Sequence, residues 1–170
     1  MISLSQGDIT KPSTMSISPE AIVNAANEAL APGAGVCGAI FAAAGVDELA
    51  AACAVLAPCP TGEAVVTPSF GLMAQGVRWI IHAVGPIYSA RQPAEADELL
   101  AATYRSILDR AHELDCSSLA IPAISTGIYG FPARRAAKVA VEAIRERADS
   151  LDVVLVAFDD EARAILSAAL

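Results

Sequence analysis

Apolar and polar positions along the chain fall into two alternating textures. Short apolar runs, rich in valine and isoleucine, predict strands at Ile2–Ser5, Ala21–Asn24, Glu63–Thr67, Trp79–Val84, Ser118–Ile121 and Val153–Phe158. Longer alanine-rich stretches of helical periodicity predict helices near Val36–Ala44, Asp47–Ala57, Ala94–Leu114, Ala133–Ala148 and Asp160–Ala169. Strands separated by helices of this length predict an α/β layered fold with a largely parallel interior. The run "VVLVAF" at 153–158 is apolar at every position, as befits a strand with helices on both faces. In such sheets ligands gather beyond the carboxyl ends of the strands. The segments there read "NAANEALAPGAGVCG", "AVGPIYS", "PAISTGIYGFP" and "FDDEA", each carrying Gly, Asn, Ser, Thr or an aromatic residue.

Composition narrows this picture. The chain of 170 residues has no Pro/Gly/Ser linker and no internal repeat, so a single domain spanning 1–170 is expected. Hydrophobic residues make up 55% and mean hydropathy is +0.50, but much of that is alanine, which adds little apolar surface. No apolar run approaches the roughly 20 residues of a membrane span, and the opening "MISLSQGDIT" lacks the basic-then-apolar order of a signal peptide. A soluble, cytoplasmic protein is the expectation, and the alanine bias suits a GC-rich bacterial source. A net charge of −8 argues against broad nucleic-acid binding, which needs a basic stripe. A small anion stays open, because backbone amides at a helix start hold phosphate without lysine. The cysteines at 37, 53, 59 and 116 form no C-x-x-C pair, and with His82 and His112 they make no zinc pattern. They read as reduced thiols, with no metal and no cofactor expected.

The stretch "PGAGVCGAIFAAAG" at 32–45 carries the spacing G-x-G-x-x-G in Gly33, Gly35 and Gly38. A dinucleotide-binding turn would place its first glycine at a strand end and an acidic residue about twenty positions on. Here some nine residues separate Asn24 from Gly33, and the region near 58 reads "LAPCPTG" without a carboxylate. That reading fails, and no G-K-[ST] supports a Walker loop. What remains is a glycine-rich loop feeding a helix, matched by a second in "STGIYGFP" at 125–132. Two such loops at one sheet edge predict a ligand with two phosphates, although either alone reads equally as tight turns.

"QGDIT" at 6–10, "AIVNAAN" at 21–27, "GAGVCGAIFAAAG" at 33–45, "IIHAVGP" at 80–86 and "IPAISTGIYGFP" at 121–132 together resemble the macrodomain family, in order and spacing, along nearly the whole chain. The resemblance implies a three-layer α/β/α sandwich around a central mixed, largely parallel sheet, acting on ADP-ribose or an ADP-ribosylated protein; a monomer is expected. Many members hydrolyse ADP-ribose from acidic side chains or deacetylate O-acetyl-ADP-ribose. By that similarity Asp8, with Ile9 beside it, meets the adenine amino group, and Phe158 lies on the adenine face. Gly33, Gly35, Val36 and Cys37 in one loop, and Ser125, Thr126, Gly127, Ile128, Tyr129 and Phe131 in the other, hold the diphosphate, with Tyr129 or Phe131 covering the distal ribose. Asn24 and Asn27 address that ribose and are the catalytic candidates. Taken alone, Asp8 reads as a cap or turn residue, Phe158 as core, Asn27 as a turn cap and His82 as a packed strand residue.

One departure matters. Hydrolase members commonly read G-V-D-G where this chain has Gly35-Val36-Cys37-Gly38, and alphavirus members with G-V-C carry an aspartate where Ala34 stands. Both expected acids are absent. A thiol with a pKa of about 8.5 is a poor base for water at neutral pH. Catalysis assisted by the substrate's own phosphate and a non-catalytic ADP-ribose reader therefore both stand. A covalent cysteine mechanism lacks an evident histidine partner. A general nucleotide-binding protein of the same architecture is a third reading.

Overall fold

The structure is a computed structural model describing residues Met1–Leu170. Six strands, β1 (Ile2–Gln6), β2 (Ala21–Ala25), β3 (Ala64–Pro68), β4 (Trp79–Ala83), β5 (Ser118–Pro122) and β6 (Asp152–Ala157), form one sheet in the order β1-β6-β5-β2-β4-β3. All neighbours run parallel except β3, which pairs antiparallel with β4 at the edge. Five helices flank it: α1 (Gly35–Ala44), α2 (Val46–Leu56), α3 (Pro93–Glu113), α4 (Ala133–Arg147) and α5 (Asp160–Ala169). The expected strands and helices all form, with ends shifted by a residue or two.

Strand pleating divides the core. Ala21 and Val23 of β2, Ile81 and Ala83 of β4 and Leu119 and Ile121 of β5 face α3, α4 and α5. Ile22, Ile80, Ala120 and Val154 face the other way, onto Ile40 and Phe41 of α1 and Leu49 and Cys53 of α2. Helices on both faces make the expected three layers. In α3, Pro93 at the first turn starts a helix whose buried Ala96, Leu100, Tyr104, Ile107, Leu108 and Ala111 recur at three- and four-residue steps. Gly45, at φ 105°, ends α1 and turns the chain directly into α2. All four cysteines are buried and unpaired, and no single helix is long and apolar enough to cross a membrane.

Because β1, β6, β5, β2 and β4 are mutually parallel, their carboxyl ends meet along one edge. In spatial order that edge presents Asp8, Phe158, the 125–129 segment, the Asn24–Cys37 segment and Gly85. At about 4.8 Å per strand, β1 to β2 spans roughly 14 Å.

Candidate functional site

The site begins with two loops that leave backbone donors free. Helix α1 starts at Ala34 and Gly35 with no side chain capping its first amides, and the N–H groups from Gly33 to Cys37 donate to no protein acceptor. In the adjacent loop after β5, the N–H groups of Thr126, Gly127, Ile128 and Tyr129 are likewise free. By contrast α5 is capped within the protein, the Asp159 carboxylate accepting from the Ala162 N–H at 2.8 Å. Uncapped helix amides at β2–α1 and a run of loop amides after β5, on neighbouring strands, form an electropositive cradle without a cation. Gly35 holds φ 61° and Gly130 φ 70°, and a β-carbon at either would meet nothing within 4 Å. These glycines answer a backbone requirement and border open space. Gly38 is different: a β-carbon there would fall 2.5 Å from the Gly33 carbonyl oxygen, so it closes the loop.

At the β1–β6 end, Gly7 N–H donates to the Ala157 carbonyl at 2.8 Å, continuing the ladder and setting Asp8 beside Phe158. Asp8 Oδ1 accepts from the Thr10 N–H at 2.9 Å and the Thr10 hydroxyl at 2.7 Å. Those bonds, the hydroxyl foremost, hold its carboxyl below the usual range and leave Oδ2 facing outward near Lys11 at 3.8 Å. Ile9 is buried, and its N–H has no protein acceptor. Phe158 is 85% exposed, so its ring is a surface platform rather than core.

At the β2–β4 end, Asn27 is half-buried and its carboxamide clasps Ala31 twice. Nδ2 donates to the Ala31 carbonyl and Oδ1 accepts from the Ala31 N–H, each at 3.0 Å. This is the turn-capping arrangement, and it still leaves one N–H and one lone pair unused. A β-carbon on Gly33 would lie 3.6 Å from Cys37 Sγ and 3.9 Å from Asn27 Nδ2, which puts these three residues in one corner. Cys37 is buried, and its thiol donates weakly to the Ala31 carbonyl at 3.9 Å. Burial, followed by the nearby Glu28 carboxylate and Cys37, pushes the Tyr129 phenol up.

Several expected contacts are corrected. Asn24 does not reach the cleft: as an inward strand residue it is 1% exposed beneath the glycine loop. Its Nδ2 lies 3.1 Å from His82 Nδ1 and 3.7 Å from Cys37 Sγ, while Oδ1 has no partner. Phe131 is 2% exposed and packs on Tyr88 with ring centroids 4.8 Å apart, so it belongs to the core and does not line the cleft. The Ser125 hydroxyl is buried without a partner, and the residue itself takes φ 65°. This loop therefore offers its backbone rather than that hydroxyl.

Sequence reasoning missed two supports. A β-carbon on Gly85 would collide with Ser125 Oγ and come within 2.5 Å of Ile124 Cγ2, so the segment after β4 backs the β5 loop closely. Tyr88 reinforces this, donating its N–H to the Tyr129 carbonyl at 2.9 Å. Glu28 accepts from the Thr61 hydroxyl at 2.8 Å and the Thr61 N–H at 3.2 Å, pinning the β2 loop to the entry of β3.

The family model for the Macro domain matches residues 23–140, which include both loops. The chain belongs to the macro domain family. A macro domain-containing protein of Ralstonia nicotianae is 51% identical over 136 residues, covering 80% of this chain and 77% of that protein. A mutant of the Oceanobacillus iheyensis macrodomain, solved with ADPR, superposes with a TM-score of 0.88 at 38% identity, covering 98% of this chain and 89% of that one. The Trypanosoma brucei macrodomain in complex with ADP-ribose gives a TM-score of 0.82 at 29% identity, covering 98% of this chain and 68% of that one. Within this macro domain, the free-amide cradle lies in the β2–α1 and β5–α4 connections and the first turn of α1.

Proposed function

We propose that this macro domain binds ADP-ribose along the strand-end edge and hydrolyses ester-linked mono-ADP-ribose, from acidic side chains or from acetylated ADP-ribose. The observation that carries the binding is the double run of unpartnered N–H groups, Gly33–Cys37 and Thr126–Tyr129. It is flanked by an exposed aromatic ring with a carboxylate on one side and by Asn27 with Tyr129 on the other. The order matches a base, a diphosphate and a distal sugar. Asp8 Oδ2 accepts from the adenine amino group, Phe158 stacks on the ring, and the two loops donate to the diphosphate. Asn27 uses its remaining N–H and lone pair on the ribose diol.

For release from an acidic side chain, water adds to the anomeric carbon, the target carboxylate leaves with the bonding pair, and the water's proton passes to a diphosphate oxygen. For the acetylated ligand, water adds to the acetyl carbonyl carbon, the ribose oxygen leaves with the bonding pair and takes up a proton, and acetate is released. Neither Ala34 nor Cys37 supplies a carboxylate, so the water's proton has no protein base at either of those positions. The same observation favours a second reading, a non-catalytic ADP-ribose reader. Titration with ADP-ribose and turnover of a mono-ADP-ribosylated protein separate the two: release above a buffer blank supports the hydrolase, and binding without release supports the reader. Gly35→Glu should abolish binding by filling the open space before the amides and straining a φ of 61°. Retained affinity in a folded Gly35→Glu variant would overturn the cradle.

A further inference from the structure

A row of polar side chains crosses the sheet face beneath α1 and α2, beside the apolar Ile22, Ile80, Ala120 and Val154. Asn24 on β2 and His82 on β4 are register partners, and Thr67 lies diagonally beyond on β3. All three are buried. Thr67 Oγ1 stands 2.8 Å from His82 Nε2, and Cys53 Sγ from α2 lies 3.7 Å from the same nitrogen. On the other side of the ring, His82 Nδ1 is 3.1 Å from Asn24 Nδ2, and Asn24 Nδ2 is 3.7 Å from Cys37 Sγ in the glycine loop. The row thus runs from the outer edge of the sheet to the floor of the cradle.

We propose that His82 is a positioning residue for the cradle: a neutral imidazole with its proton on Nε2, whose Nδ1 clamps the Asn24 carboxamide so that Asn24 in turn holds Cys37 and the start of α1 in place. The inference rests on the ADP-ribose reading for its functional consequence but not for its geometry. An amide nitrogen only donates, so Nδ1 facing Asn24 Nδ2 must be the acceptor, and Nε2 then carries the proton and donates to Thr67 Oγ1. Burial holds the ring's pKa down to about 4, so it is neutral wherever the fold is intact near neutrality. With both amide hydrogens directed by His82 and Cys37, Oδ1 is the unpaired acceptor beneath the loop. Loss of the clamp frees the carboxamide to rotate and removes the support under Cys37, one of the free-amide residues.

Three variants separate the roles. In His82→Asn the side-chain oxygen replaces Nδ1 as acceptor; in His82→Gln the amide group reaches Thr67 but leaves Asn24 unheld; in His82→Phe both bonds go. Nitrogen-15 spectra of the wild type are expected to show an unprotonated Nδ1 and a protonated Nε2, with one protected pair of Asn24 side-chain amide resonances that broadens in His82→Gln. ADP-ribose affinity is expected to fall about tenfold or more in His82→Gln and His82→Phe and to stay within about threefold in His82→Asn. Thermal melts confirm that each variant is folded. A protonated Nδ1 in the wild type, or folded His82→Gln with unchanged Asn24 resonances, overturns the proposal. The spectra need no ligand, so failure of the wild type to bind ADP-ribose would overturn the proposed function while the tautomer and the Asn24 resonances still decide this one.

Discussion

Single side chains at the strand ends divide into those the fold needs and those it leaves free. Phe158 is exposed and packs on nothing in the core. Phe158→Ala should therefore leave the melting temperature unchanged while weakening ADP-ribose binding by about 1–3 kcal/mol, the usual worth of an aromatic stacked on a base. Calorimetry beside a thermal melt checks both halves. Cys37 is the opposite case, small and enclosed, with Asn24 behind it and Ala31 receiving its weak hydrogen bond. In Cys37→Asp a carboxylate replaces the thiol next to Gly33 and Asn27. If the absent acid limits the reaction, turnover of a mono-ADP-ribosylated protein should rise at least about tenfold, toward the roughly 10²–10⁴ that a placed base supplies. Unchanged turnover in a variant that still binds would mean that the proton already leaves by another route.

At the scale of elements, the cradle depends on one loop backing another. The segment after β4 presses Gly85 against Ser125 and Ile124, and Tyr88 holds Tyr129 by its carbonyl. Gly85→Ala inserts a methyl group where none fits. It should cost about 1–3 kcal/mol in chemical denaturation and weaken ADP-ribose binding by displacing the loop it backs. Strands and helices were legible because their apolar periods are strong: "VVLVAF" can bury both faces and α3 repeats every three to four residues. The direction of β3 was not, since an antiparallel edge strand and a parallel one share the same alternation. Nor was the Glu28–Thr61 pair, whose members lie 33 positions apart in sequence.

Across the whole molecule, pH couples the buried row to stability. His82 titrates near 4 when folded, against about 6.5 when unfolded, because burial disfavours the imidazolium. Its contribution is complete above about pH 6.5. As pH falls toward 4 the unfolded chain gains a proton that the folded one refuses, so roughly 3 kcal/mol is lost across that window. The groups facing the ring are Asn24 from β2, Thr67 from β3 and Cys53 from α2. Asn24 and Thr67 do not ionise, and burial pushes the Cys53 thiol up to about 11, so none adds a charge there. Asp8 acts lower: its depressed carboxyl adds stability above the ordinary carboxylate range and loses it on further acidification. Urea denaturation of the wild type and His82→Phe between pH 7 and 4 should show the first slope only in the wild type. Parallel slopes would mean that the ring does not stay neutral.

The sequence by itself determined the layers, the two glycine loops and the family, because periodicity, helix starts and motif order are local properties written in consecutive residues. It also contained an unread signal. "AIVN", "WIIH" and "AVVT" each place a polar residue fourth in a strand, but only strand order and direction show that Asn24, His82 and Thr67 are neighbours. The tertiary structure alone decided which candidates face the cleft. Pleating turns Asn24 inward, packing on Tyr88 draws Phe131 into the core, and Gly85 leaves Ser125 with its backbone, not its hydroxyl, to offer. Those outcomes depend on which residues from distant segments occupy the same space, and spacing along the chain carries no record of that.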